Sequence, residues 1–244
     1  MRRFLLKALF LGSLLLLVGC FYPQNERQAS QAAYLDQLAS VQSAVDSFQE
    51  DTAVLPIKTF DETTPMYQRY IIDFRQLVPR YMQEPPGTAF ENGGLYQYTL
   101  VDVEETPTVK LIDLSSLKSI QELTSQINNY RAQYTYAPVK EIVADGLFMI
   151  DYEKLSYKEE PVIISPYTGN SLPFLYSNTG ELVIDYASDI NIRMNELDEI
   201  NEDGDLRPLL YEEAPFVPFH SVPYTLSESG EPILDPSFEP EENN

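Results

Sequence analysis

The sequence predicts an α+β fold: a duplicated unit of one helix plus antiparallel hairpin strands, continued by a Pro/aromatic-rich C-terminal extension. Three observations predict it. Apolar residues recur at helical spacing in two places displaced by 82 residues. Short strand-like segments bounded by Gly, Pro and Asn follow each helical stretch. Beyond Asp205 the chain becomes dense in proline and aromatic residues.

The first element is a leader. Arg2, Arg3 and Lys7 precede an apolar run from Ala8 to Val18. That run is too short to cross about 30 Å of hydrocarbon, which takes about 20 residues, so it reads as a secretory signal peptide. It closes on Leu17-Val18-Gly19-Cys20, which looks like the bacterial lipoprotein signal. There the cysteine thiol receives a diacylglycerol and becomes the first residue. Cys20 is the single cysteine of the 244 residues. The mature chain is then expected to have no thiol, no disulfide and no Cys-based metal site. Phe21 to Gln28 is polar with one proline and reads as a tether.

Charge bounds the partners. Without the three basic residues of the leader, 13 Lys and Arg face 38 Asp and Glu, a formal −25. So acidic a surface repels phosphate backbones, which excludes nucleic acid as a partner. With 43% hydrophobic and 12% aromatic residues the chain has the means to build a core. Its 17 tyrosines and absent tryptophan fit half-buried sheet positions or a tyrosine-lined ligand groove.

Leu35, Leu38, Val41, Val45 and Phe48 are spaced 3, 3, 4 and 3, one face of a helix with a polar opposite face. Leu117, Ile120, Leu123, Ile127 and Tyr130 repeat that spacing. The register continues: Pro56-Ile57-Lys58 meets Pro138-Val139-Lys140, Ile72-Asp73-Phe74 with Leu77 meets Ile150-Asp151-Tyr152 with Leu155, and Glu84-Pro85 meets Glu160-Pro161. The shared order implies a repeat. Phe48 and Tyr130 are then expected at equivalent core-facing positions, and Asp73 and Asp151 as equivalent caps. Hairpin strands follow, Leu95 to Val103 with Thr108 to Ile112, and Leu172 to Tyr176 with Glu181 to Tyr186 across Ser177-Asn178-Thr179-Gly180. Ser188 is the expected cap of a helix bearing Ile190, Met194 and Leu197, and Asp205 that of a short helix, Leu206 to Tyr211. Pro215, Pro218 and Pro223 exclude a helix interior or central strand around Phe216, Phe219 and His220. That segment is expected to bridge the two lobes in extended form. A last hairpin runs from Tyr224 to Leu234, its turn Ser227-Glu228-Ser229-Gly230 echoing Ser177-Asn178-Thr179-Gly180.

Little chemistry is visible. His220 is the only histidine, and no Gly-x-Ser-x-Gly elbow accompanies it; its expected role is structural or ligand-contacting. There is no His pair for zinc, no phosphate loop and no dinucleotide fingerprint. Glu199 to Asp205 places carboxylates like a calcium loop, but Leu210 stands where the bidentate Glu belongs. The reading is therefore non-enzymatic, with no catalytic residue, no metal and no cofactor, and with the ligand-binding residues unassigned.

Several stretches carry a resemblance: Gln37 to Asp46; Leu55-Pro56-Ile57-Lys58-Thr59; Pro79-Arg80-Tyr81 with Glu84-Pro85-Pro86-Gly87; Gly93 to Tyr98; Val109 to Leu114; and Phe216-Val217-Pro218 with Pro223-Tyr224-Thr225. On these the chain resembles the YphF-type lipoproteins of Bacillus and related Gram-positive bacteria. Members of that family are described as extracytoplasmic binding proteins of ABC transporters, and the resemblance implies such a role here. Leu77-Val78-Pro79-Arg80-Tyr81 after an amphipathic helix also looks loosely like the globular part of a pseudopilin, which implies fold alone.

The expected organisation is a signal peptide (1–19), a lipid-anchored tether (20–28), lobe 1 (29–112), lobe 2 (113–187), an extension bridging the lobes (188–235) and a disordered acidic tail (236–244). The expected function is that of a ligand-binding lipoprotein on the outer face of the cell membrane, held through Cys20; the alternative is an envelope scaffold that meets a basic or cationic partner. Replacing Cys20 with alanine should release the protein into the medium or leave its leader uncleaved, as read by membrane fractionation. Membrane retention at unchanged size would overturn the lipid anchor.

Overall fold

In the computed structural model, which describes residues 24–61, 63–197 and 204–237, helix α1 (Gln24–Thr52) leads lobe 1. Val41 and Val45 are fully buried, with Tyr34, Ala44 and Phe48 beside them. Tyr34, not the 49% exposed Leu35, begins the stripe. Its ring reaches Tyr96 and Phe216 edge-on at 5.9 and 5.6 Å, contacts that give an aromatic the position. Gln24 to Gln28, expected in the tether, are already helical. Gln, Glu and Arg are good helix formers, so the helix runs outward past its core contacts. Cys20 and the leader lie outside the described residues.

After α1 come two single turns, α2 (Met66–Arg69) and α3 (Phe74–Leu77). Strands β1 (Tyr96–Val101) and β2 (Thr108–Asp113) then pair antiparallel, from Tyr96 opposite Asp113 to Val101 opposite Thr108. Asp113 is the last residue of β2, so the lobe boundary falls one residue later than expected. Gly94 makes this entry passable: a Cβ there would lie 2.1 Å from the Thr88 carbonyl oxygen.

Lobe 2 opens with α4 (Leu117–Tyr134), whose Ile120, Leu123 and Ile127 are buried. Five strands follow: β3 (Val139–Ala144), β4 (Leu147–Ile150), β5 (Val162–Ile164), β6 (Ser171–Ser177) and β7 (Leu182–Ile184). They form one antiparallel sheet in the order β3-β4-β6-β5, with β7 on the other side of β6. The β3–β4 hairpin was not anticipated. Asp145-Gly146 makes its turn with Gly146 at φ 67°, the positive value that glycine adopts freely.

The two lobes share local hydrogen bonds. Ile57 N donates to Leu55 O and Val139 N to Ala137 O, both at 3.0 Å. Asp73 N reaches Pro56 O at 2.8 Å, and Asp151 N reaches Pro138 O at 2.7 Å. Ile57 bridges Ile72 antiparallel, Ile71 bridges Thr99, and β1 pairs β2, the sequence of neighbours seen in β3, β4, β6 and β7. Asp73 accepts from Arg75 N at 3.1 Å and Asp151 from Lys154 N at 3.3 Å. The equivalence stops at Phe48 and Tyr130: Phe48 is buried, whereas Tyr130 is half-exposed among other tyrosines.

The C-terminal extension belongs to both lobes. Helix α5 (Ala187–Glu196) has Tyr186, not Ser188, at its cap position, and one residue earlier the Asp185 side chain accepts from Ala187 N at 2.9 Å. Ser188 already sits inside the first turn. Asp205 accepts from Arg207 N at 3.0 Å ahead of helix α6 (Pro208–Tyr211). Hairpin β8 (Tyr224–Leu226) and β9 (Pro232–Leu234) closes the chain. Ile190, Leu206, Leu210 and Tyr224 pack into the lobe 2 core, Phe216 into that of lobe 1. Between them the segment crosses over: Leu111 N donates to Pro215 O (2.8 Å) and Val217 N to Leu111 O (3.0 Å) on β2, and Ile184 N donates to His220 O (2.8 Å) on β7. The turn Ser227 to Glu231 reproduces Ser177 to Glu181 bond for bond: Glu181 N and Glu231 N each donate to the preceding serine Oγ at 3.0 Å.

The junction is held by an ion pair, Arg207 Nε to Asp205 Oδ2 at 2.7 Å, both side chains no more than 7% exposed. The Arg207 guanidinium also lies over the Tyr67 ring at 5.4 Å. Removing one partner of a buried pair strands the other charge, so Asp205→Ala should lower stability by about 3–5 kcal/mol in urea unfolding. Lys118→Ala, which breaks an exposed pair with Glu122 (side chains 86% and 64% exposed), should cost less than about 0.5 kcal/mol. Equal effects would remove the ion pair from its central place.

Candidate ligand-binding cleft

Helix α4 ends at Thr135, which takes the left-handed φ of 68° and donates its N–H to the Arg131 carbonyl. That turn throws Tyr136 sideways. Tyr130, Tyr134 and Tyr136 consequently gather around one helix end, with ring centroids 4.5 to 6.3 Å apart. Tyr130 donates to the Tyr136 hydroxyl at 3.1 Å. That bond, with some desolvation, pushes the Tyr130 phenol up to about 12.

Opposite Tyr136 stand Phe148 of β4, Tyr176 and Ser177 of β6, and the turn Asn178 to Gly180. The space between is a cleft of about 330 Å³, within the range of small-ligand sites. Arg131 lines it too, one guanidinium N–H donating to the Tyr176 hydroxyl at 3.1 Å. Asn178 is placed by its neighbour turn: its N–H donates to the Gly146 carbonyl at 2.8 Å, and its amide lies where a Cβ on Gly146 would come within 2.8 Å. None of the lining residues is Asp or Glu.

A second cavity of about 260 Å³ lies between α5 and α6, beside Tyr167 and Asp189. Asp189 is buried, which pushes its carboxyl up, while Thr168 and Ser165 donate to it at 2.6 and 2.7 Å and pull it down. Arg193 at its mouth is paired to Glu196 and Glu213. Its polar groups are thus satisfied within the chain.

The residues singled out by sequence are elsewhere. His220 lines neither cavity; it turns the bridging segment, at φ 55°, with Phe219 at 4.2 Å between ring centroids. Of the acidic loop, residues 198–203 fall outside the described residues, as does 238–244 of the tail. Among the described residues no helix is long and apolar enough to cross a membrane. Arg131, Phe148, Tyr176 and Asn178 were not foreseen as site residues; the excess of tyrosine was their only signal.

A two-lobed α+β protein with an open aromatic cleft is the class these features define. Residues 34–113 match the YphF family N-terminal domain, so over this stretch the chain is similar to that family. The match spans lobe 1 from Tyr34 to the end of β2, so the cleft lies outside it. No curated protein and no solved structure matches the chain.

Burial holds the His220 imidazole below its usual 6.5; the Glu181 charge and a backbone bond to Leu182 only partly offset this. A depressed folded-state value means that the unfolded chain takes up the proton first. His220 therefore contributes stability that is present above pH 6.5 and is lost as pH falls through its folded value. His220→Asn tolerates the positive φ and should flatten the fall in stability below pH 6.5, measured by urea unfolding. NMR of the lone imidazole should place its midpoint below 6.5; a midpoint above it would overturn this account.

Proposed function

We propose that this protein is a non-enzymatic, lipid-anchored binding protein on the outer face of the cell membrane, and that the cleft beside Tyr136 is its ligand site. One observation carries the reading: Tyr136 is 53% exposed, yet it is held by a hydrogen bond and an edge contact from Tyr130. A large aromatic kept rigid in water is prepared to bind, because little side-chain freedom remains to be lost. The anchor rests on the Leu17-Val18-Gly19-Cys20 ending.

Handing a ligand to an ABC-type permease is the role that the family resemblance implies. The pairings between strands β1 to β9 are all antiparallel, with single parallel bridges at Ala89–Tyr96 and Leu111–Phe216, so such a role would use a scaffold other than parallel-stranded α/β lobes. The shared hydrogen bonds of the lobes support descent from a duplicated unit. A second reading, an envelope scaffold with a basic partner, draws support from the formal charge of −22 and from exposed apolar residues on the lobe 2 sheet, Ile142 at 73% and Ile164 at 62%.

A thermal-shift screen of small polar metabolites on the full-length protein in detergent separates the two. A ligand at about 100 times its Kd adds about 2.7 kcal/mol, a rise in Tm on the order of 5–10 °C at this size. The rise should be absent in Tyr136→Ala. A screen without stabilisers, with saturable capture of a basic envelope protein instead, would favour the scaffold.

A further inference from the structure

We infer that the cleft beside Tyr136 takes a neutral saccharide, an inference that rests on the binding reading above. Electrostatics narrows the class first. The chain holds 38 acidic residues, and none lines this cleft. A cationic ligand would find no carboxylate to pair with there, and a desolvated ammonium without a partner is unfavourable. An anion would find Arg131 alone, against the field of a chain at formal −22. A neutral ligand meets neither penalty.

The lining then says what kind of neutral ligand. Tyr136, Phe148 and Tyr176 offer aromatic surface, and the C–H face of a pyranose ring packs on such surface without leaving a polar group unpaired. The rim supplies the complement for hydroxyls. Arg131 has five N–H donors in a planar fork, and one of them goes to Tyr176. Asn178 carries both a donor and an acceptor on one amide, held over Gly146 at the mouth. Hydroxyl groups both donate and accept, so a fork of donors beside an amide suits neighbouring hydroxyls of one ring. An apolar metabolite would leave these groups without partners, at a cost for each one buried.

Size and shape agree. About 330 Å³ is near the lower end of ligand sites, enough for a short saccharide. The exposed edge of Tyr136 leaves the cleft open, so a longer glycan can continue into solvent.

With no tryptophan in the chain, emission comes from its 17 tyrosines, which makes tyrosine fluorescence a direct readout on the full-length protein in detergent. The probes are chitotetraose, cellotetraose and maltotetraose, with trigalacturonic acid as the anionic control and a tetralysine peptide as the cationic one. The expected result is saturable binding of at least one neutral tetrasaccharide. It should weaken at least tenfold in Tyr136→Ala and in Asn178→Ala and stay unchanged in His220→Asn, with all three variants melting cooperatively. Saturable binding of only trigalacturonic acid or tetralysine, abolished by Tyr136→Ala, would overturn the saccharide and leave the cleft as a ligand site. Absence of binding by all three neutral probes would overturn the saccharide too. The cleft reading itself falls only if ligands found by thermal shift bind Tyr136→Ala unchanged.

Discussion

The structure depends on one strap of backbone, Pro215 to Pro223, which hydrogen-bonds to a sheet edge in each lobe. On β2 it uses the Pro215 carbonyl and the Val217 N–H; on β7 it uses the His220 carbonyl. Proline accepts but cannot donate, and each proline of the strap is used in that sense. Pro215 O accepts from Leu111 N, Pro218 O from the Ser221 hydroxyl and Pro223 O from Asp235 N. A strand end that would otherwise present unpaired groups is covered in both lobes. Phe216 and Phe219, buried in separate clusters, keep the strap from peeling away. Lys110 reinforces its start: this buried side chain donates to the carbonyls of Tyr211 and Ala214. Burial pushes its ammonium down from the usual lysine value, while the Asp102 and Glu212 charges act the other way, and the carbonyl bonds give the buried donor its partners.

Much of the fold was legible because its signals are local. Helical periodicity found α1 and α4, and the turn Ser177 to Gly180 announced β6 and β7. Proline spacing read the strap as an extended segment between lobes. The errors are also local, and each has a physical cause. At the start of α1 a tyrosine outcompeted a neighbouring leucine because its ring reaches across to Phe216. At α5 the first free N–H goes to Asp185 rather than to Ser188, because Tyr224 also donates to that carboxylate, at 2.9 Å, and fixes it before the helix begins. Asp145-Gly146 makes a tight hairpin turn in lobe 2, whereas the lobe 1 segment after Pro56-Ile57-Lys58 has no such turn, so the matched register alone does not reveal it.

The cleft was far less legible. Arg131 lies on the polar face of α4, Phe148 on a short strand and Asn178 in a turn, and nothing in their own neighbourhoods marks them. They meet because β4 pairs with β6, placing Phe148 opposite Tyr176, and because α4 unwinds at Thr135 just where that sheet ends. A site assembled from non-local pairing leaves only a compositional trace, here the abundance of tyrosine. Most of the tyrosines went elsewhere: Tyr98 and Tyr224 are fully buried. The bland and the sharp readings of that composition both apply, at different positions.

The distribution of charge connects the cleft to the rest of the molecule. A chain at formal −22 holds other anions away and opposes lying on anionic headgroups. Where it is interrupted, the interruption has physical meaning. It occurs at a helix C-terminus, where the macrodipole favours a cation and Arg131 sits in the last turn. The turn of Asn178 and Gly180 opposite it presents amide and backbone rather than carboxylate. The tyrosines that fill the gap are held by one another rather than by the core, which is why Tyr130 escapes the burial of its counterpart Phe48. The exposure of Tyr130 and the candidate site share one place, the C-terminal turn of α4, which forms one wall of the cleft.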